Sequence, residues 1–284
     1  MSKMLIVAPR DDNQFDALAK GVELAQTLKM EPEVVGYCHE SMPAVDGMTP
    51  ELVESIKNRL MSDLNDSLRT RVAQLGGGVP VTVRWAEYLA EDVTDLADQG
   101  ASLIVKAYRK SDHLLPTDWH LIRQTRVPLM LLTDNHRARA EDVLVALDLG
   151  GKNEAKQMLN QQLLHHAKAL VAATGGELHL AYVVHLSQVI RDLEVIDTRQ
   201  LVKDVYRQHA LLLESLGLPK DNIHVMVGDE GRCLPQLAAK LQVGYFVIGA
   251  RQRKGLLGYV MGNTAEEILS KMHSHLLVVP HFDQ

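Results

Sequence analysis

Near the C-terminus, the apolar run 246–248 is followed by Gly249, then Arg251, Arg253 and Lys254, then the triplet Gly262-Asn263-Thr264. These residue types at this spacing suit an anion. A glycine at a strand end lets a ligand approach the backbone where a side chain would block it. The basic loop supplies positive charge. Gly262-Asn263-Thr264 opens a helix whose free N–H groups and positive dipole end favour a phosphate. The same segment has a plainer use, because Thr264-Ala265-Glu266-Glu267 fits a capping box that only starts a helix.

A second candidate is Asp148, at the end of the apolar run 143–148 (VLVALD). In open parallel sheets, ligands bind beyond the carboxyl ends of the strands where the strand order reverses. For the order 3-2-1-4-5 that crevice lies between strands 1 and 4, so Asp148 and Gly249 would face it together. Asp148 could accept hydrogen bonds from an adenine amino group or a ribose hydroxyl. It could equally form an Asx turn or cap the helix that begins near Asn153. Gly228-Asp229, after the third strand, lines the same pocket or simply makes a turn.

The elements that must hold these residues occur twice. Residues 5–9 (LIVAP) and 143–148 each give a short apolar strand followed by a polar turn and a long amphipathic helix. In the first helix Phe15, Leu18, Ala19, Val22, Ala25 and Leu28 form one apolar face; its counterpart spans about 153–173. Second strands are expected at 33–38 and 177–184, third at 79–84 and 223–227, fourth at 103–106 and 245–248, and last at 128–132 and 275–279. Short helices are expected near 91–98 and 231–240. Repeated strand–helix units with near-continuous Val, Ile and Leu imply parallel sheets covered on both faces. The fold class is therefore α/β, with two tandem doubly wound five-stranded parallel sheets of order 3-2-1-4-5. The polar stretch 133–141 reads as a linker, with domains at 1–139 and 140–284.

The first half departs at each candidate position. Pro9 stands where Asp148 stands, Lys106 replaces Gly249, and Pro116-Thr117-Asp118-Trp119 replaces Gly262-Asn263-Thr264-Ala265. Pro116 brings no N–H, and Asp118 places a negative charge where a phosphate would rest. Lys106, Arg109 and Lys110 form a basic cluster, either a site for another anion or a solvated loop.

The chain has 284 residues, enough for two domains that each bury a core. A net charge of -6 argues against broad nucleic-acid binding, which needs a basic face. No apolar run approaches a membrane span, and Arg10, Asp11 and Asp12 interrupt a signal-peptide layout, so no membrane association and a cytoplasmic location are expected. Cys38 and Cys233, one in each half, read as reduced thiols. The thirteen histidines include His165-His166 and the pair His273 and His275; neither pair has an evident third partner for a metal, and surface histidines are the expectation.

With those residues in place, the chain resembles the universal stress proteins, in tandem form. The family's ATP-binding members carry G-x2-G-x9-G-[ST] after strand 4; here Gly249 and Gly262 match, Gln252 replaces the middle glycine, and Asn263 replaces the Ser or Thr. PTDWHL (116–121) and GNTAE (262–266) narrow the resemblance to the E-type subgroup. The resemblance implies the Rossmann-like, adenine nucleotide alpha hydrolase-like fold, stress-response association and a homodimer built through the last strands. It also implies an ATP site, with magnesium, in the second domain. Carried over by position, Ala146, Asp148, Val183 and Ile248 form the adenine side, and Gly249, Gly262, Asn263 and Thr264 the phosphate side.

No P-loop occurs, and although Asp148 and Asp229 could hold magnesium through a triphosphate, nothing places a water-activating residue opposite. The leading expectation is thus a nucleotide-responsive binding protein with at most slow hydrolysis. The alternatives are a scaffold without nucleotide and, third, a metal protein or a weak ATPase. The apolar terminal strands are expected at sheet edges and in interfaces, within the chain or between chains.

Overall fold

The computed structural model describes residues 2–9, 16–43, 47–108, 116–134, 141–151, 153–187, 189–190, 196–255, 258–260, 267–268, 271 and 273–282. They fall into two compact units, the first ending at Asp134. The expected linker centre near Arg139, and Phe15 of the first expected helix, lie outside the described residues.

In the first unit, β1 (Lys3–Val7), β2 (Glu31–Cys38), β3 (Val81–Trp85), β4 (Ala101–Ala107) and β5 (Leu129–Leu132) form a parallel sheet of order β3-β2-β1-β4-β5. The helices are α1 (Ala17–Thr27), α2 (Pro50–Gln74), α3 (Leu89–Asp98) and α4 (Pro116–Gln124). Local sequence sets their starts. The Ala19 N–H donates to Asp16 at 2.9 Å, and Thr49 caps α2, whose first residue is Pro50. The long α2 buries only Leu68 and Val72, and it sits close to the sheet because Gly36 of β2 has no side chain. A Cβ there would lie 2.5 Å from Leu68 Cδ1. Sheet residues such as Ile6, Val34 and Ile104 are fully covered, as a parallel sheet with helices on both faces requires.

The second unit repeats the plan. Its strands are β6 (Val143–Ala146), β7 (Leu178–His185), β8 (Ile223–Gly228), β9 (Tyr245–Gly255) and β11 (His275–Phe282), paired in parallel in the order β8-β7-β6-β9-β11. The helices are α5 (Glu154–Thr174), α6 (Thr198–Gln208), α7 (Ala210–Ser215) and α8 (Glu230–Leu241). Asn153 caps α5 by accepting from the Ala155 N–H at 2.8 Å, and Gly175 ends it at φ 80°, the left-handed turn that glycine adopts without strain. The expected fold class, two doubly wound sheets of order 3-2-1-4-5, is what the chain forms.

One element differs from expectation. The residues expected as a basic loop, Arg251, Arg253 and Lys254, continue strand β9, and β10 (Gly258–Val260) folds back on them antiparallel, with Val260 opposite Arg253 and Gly258 opposite Gly255. The reason is pairing: β11 runs on beside β9 as far as Phe282 opposite Gln252, so the backbone groups of the basic stretch are satisfied as sheet. β5 is the last strand in the first unit's order and β11 in the second's. Cys38 and Cys233 are not joined in a disulfide. Among the described residues, no helix is long and apolar enough to cross a membrane.

Candidate functional site

In the second unit the strand order reverses between β6 and β9, which pair in parallel with Val145 opposite Val247. Asp148 lies just past the end of β6. Its backbone is fixed from α5: the Asp148 N–H donates to Asn160 Oδ1 at 3.1 Å, and Asn160 Nδ2 donates to the Asp148 carbonyl at 2.9 Å. Lys156, one turn before Asn160 on the same helix face, donates Nζ to Asp148 Oδ2 at 2.5 Å. The pair is close to half exposed, at 42% for Lys156 and 45% for Asp148, so its own contribution to stability is small. Asp148 is therefore neither an Asx turn nor a helix cap. Asn153 caps α5, and Asp148 is a carboxylate held in place at an accessible strand end.

Around it stand Tyr182 and Glu230. Burial pushes the Tyr182 hydroxyl up, and the negative charges of Asp148 and then Glu230 add to this, while a hydrogen bond with the Gly150 backbone pulls the other way. Gly150 must lack a side chain here, since a Cβ would stand 2.8 Å from the Tyr182 hydroxyl. Glu230 in turn meets His185 Nδ1 at 2.8 Å, and that contact raises the imidazole's affinity for a proton. Asp229 is a cap: the Arg232 N–H donates to its Oδ1 at 3.1 Å, which settles the Gly228-Asp229 segment as the entry to α8. The end of β6 thus carries the Asp148 carboxylate, paired with the Lys156 ammonium, beside the Tyr182 hydroxyl.

The remaining predicted residues divide. Ala146 ends β6 opposite Ala181 of β7; Val183 and Ile248 are buried in β7 and β9. Gly249 is used for packing, because a Cβ would lie 2.7 Å from Leu159 Cδ2 of α5. The space a ligand was expected to enter at Gly249 on that face is filled by Leu159. Gly262, Asn263 and Thr264 lie outside the described residues. Lys156, Asn160, Tyr182 and Glu230 were missed by sequence reasoning; the spacing of Lys156 and Asn160, one turn apart on α5, was the available signal.

The first half answers its own departures. Lys106 Nζ donates to Asp118 Oδ1 at 2.7 Å and to the Ala107 carbonyl at 3.2 Å, and Asp118 is fully buried. The lysine of the basic cluster and the carboxylate that looked hostile to a phosphate neutralise each other. Arg109 and Lys110 lie outside the described residues, so the described part of the basic cluster is one lysine engaged in an internal pair. Nearby, the Tyr108 hydroxyl is pushed up by burial and by the Asp118 charge. At the other side of this sheet, Arg84 grips Asp92 through two hydrogen bonds, Nε to Oδ2 at 2.5 Å and Nη2 to Oδ1 at 2.8 Å, and Tyr37 donates to Oδ2 at 2.9 Å. Among the described residues, no group of three or more His, Cys, Asp or Glu side chains is placed to hold a metal. His165 and His166 meet edge to face with centroids 5.5 Å apart, and His275 packs on Tyr245.

The doubly wound parallel sheet of order 3-2-1-4-5 places each unit among the Rossmann-like α/β folds, and the second adds an accessible carboxylate at its reversal point. Residues 141–280 match the model of the Universal stress protein family. Over nearly its whole length the chain is similar to the universal stress protein E homolog of Haemophilus influenzae, at 26% identity across 96% of this chain and 95% of that protein. It is 28% identical to universal stress protein E of Escherichia coli over 72% of this chain and 70% of the relative. Crystal structures of a putative universal stress protein from Pseudomonas aeruginosa and of a universal stress protein from Archaeoglobus fulgidus share the fold across 98% of this chain, with TM-scores of 0.69 and 0.68 at 20% and 15% identity.

Proposed function

We propose that the chain is a tandem universal stress protein with a stress-response regulatory role, whose second unit binds ATP or a related adenine nucleotide with magnesium. The observation that carries this reading is Asp148: an accessible carboxylate, oriented by Lys156 and Asn160, at the reversal point of the sheet. On this reading Ala146, Asp148, Val183 and Ile248 meet the adenosine, and Gly249, Gly262, Asn263 and Thr264 meet the phosphates. Lys156 then exchanges its bond to Asp148 for a phosphate oxygen or keeps the carboxylate aimed at the ligand. The first unit, with Lys106 tied to Asp118, takes no nucleotide at the corresponding place. The protein acts by occupancy, through homodimer assembly by its terminal strands or through partner affinity, and not by turnover.

Calorimetric titration of ATP and magnesium into the full chain tests this, with Gly262→Glu and Asp148→Ala alongside. Saturable binding near one site per chain, lost in Gly262→Glu and weakened at least about tenfold in Asp148→Ala, is expected. Undiminished affinity in both variants would refute the assigned site.

A second reading, a scaffold that binds no nucleotide, draws on two observations. Leu159 occupies the space beside Gly249, and the basic stretch carrying Gln252 is paired as strand. No binding heat up to millimolar ATP, with folded ligand-free protein, selects the scaffold.

A further inference from the structure

Among the described residues, the edge strand β8 is paired on one side only, with β7. A groove of about 1020 Å³ follows its open side, walled by α6 and by α8. The backbone on that side can be oriented from two contacts. Successive residues of a parallel strand direct their N–H and C=O groups alternately to either neighbour. The Gly228 carbonyl accepts from the Leu186 N–H at 2.9 Å, on the β7 side, so Met226 and His224 also face inward. The Ile223 carbonyl faces outward, where the Tyr206 hydroxyl of α6 donates to it at 2.6 Å. Val225 and Val227 therefore direct their backbone groups into the groove, and Tyr206 closes one end of that row.

The walls are of one sign. Arg199 and Lys203 come from α6 and Lys240 from α8, all exposed, and no Asp or Glu lines the groove. None of these three cations takes part in an ion pair with the described residues; Asp204, next to Lys203, is bonded to Arg207 and Gln200 instead. Between the cations, Val202, Leu237 and Met226 give the groove an apolar lining. Open edges are commonly blunted by inward charges or proline, and β8 (IHVMVG) has neither.

We propose that this groove docks an extended acidic peptide, which adds to the sheet as a strand on β8. Backbone pairing with Val225 and Val227 supplies the alignment, and Arg199, Lys203 and Lys240 select for carboxylate side chains over basic ones. The site lies along a sheet edge formed by the third strand, and it stands or falls independently of nucleotide binding.

The test is fluorescence anisotropy with the full chain and a short labelled peptide of alternating glutamate and valine. Two controls accompany it: the same peptide with lysine for glutamate, and a version N-methylated at alternate residues. Saturable, salt-sensitive binding is expected for the glutamate peptide, with binding at least about tenfold weaker for both controls. Val225→Pro, which removes one outward N–H from an edge where proline is tolerated, is expected to weaken binding by a similar factor. So is the double variant Lys203→Glu/Lys240→Glu, which reverses charges on exposed helix faces and leaves β8 intact. Absence of binding by the glutamate peptide overturns the proposal. Equal binding of the lysine peptide removes the charge selection, equal binding of the N-methylated peptide removes strand addition, and either result overturns it as well.

Discussion

Removing Lys106 should cost the first unit far more than any surface lysine would. Asp118 is 0% exposed and Lys106 is 14% exposed, and one carboxylate oxygen, Asp118 Oδ2, lacks a hydrogen-bond partner among the described residues. In Lys106→Met the aliphatic stem is kept, so packing changes little, but the carboxylate loses its counter-charge. Breaking a buried pair from one side typically costs about 3–5 kcal/mol, because the survivor is left uncompensated. At roughly 4 °C per kcal/mol for a domain of this size, the midpoint should fall by roughly 10–20 °C. Lys106→Met/Asp118→Leu removes both charges and should return to within about 1 kcal/mol of the parent, since apolar replacement of a whole buried pair is often neutral. The exposed pair Arg59 and Asp63, at 78% and 56%, serves as a control whose loss should cost less than about 1 kcal/mol. The assay is favoured by composition. The chain's two tryptophans, Trp85 and Trp119, both lie in the first half, so intrinsic fluorescence in denaturant follows that unit. If Lys106→Met behaves like the Arg59 control, or if the double variant is no more stable than Lys106→Met, the pair is not the buried, coupled interaction described.

Other expectations follow the same logic. Gly249→Ala should destabilise the second unit by about 1–3 kcal/mol, since the new Cβ meets Leu159 Cδ2 at 2.7 Å; Leu159→Ala in that background should recover part of the loss in thermal unfolding. His224 is held below the usual histidine range by burial and by the nearby charges of His179 and Lys240. The unfolded chain then takes up that proton first, so the contribution of His224 to stability is full above pH about 6.5 and is lost as pH falls below it. Amide exchange of β7 and β8 at pH 7.5 and 5.5 should show this loss, and His224→Gln should flatten it; an unchanged slope counts against the assignment. Asp92 is opposed by burial but held below the usual range by hydrogen bonds from Arg84 and Tyr37. Its contribution is present above pH about 4 and is lost on acidification through the lower folded value. Arg84→Ala should therefore reduce the first unit's stability at neutral pH more than at pH about 3, as read by tryptophan fluorescence.

The repeated strand–helix grammar was legible because near-continuous Val, Ile and Leu runs in parallel strands leave little ambiguity, and the strand order follows from the repeat. Element ends were less legible. The sequence 251–254 reads as a loop because its charges hide the pairing partners: β11 continues beside Arg251 and Gln252, and β10 pairs with Arg253 and Lys254. Asp148 was visible at its strand end, but its holders were not. Lys156 and Asn160 sit on a solvent-patterned helix, and Tyr182 and Glu230 come from elements separated by dozens of residues. At Gly249 the sequence signals close approach without saying what approaches; on the face where a Cβ would point, the neighbour is Leu159. The pairing of Lys106 with Asp118 was hidden because each was compared with its counterpart in the other half instead of with its neighbour in space.

That last pairing has an evolutionary consequence. Neither member can be exchanged alone without stranding the other charge inside the protein, so single-residue steps away from the pair pass through a poorly folded intermediate. The pair therefore ties two distant positions of the chain into one heritable unit, and descendants of this chain should inherit Lys106 and Asp118 together or lose them together.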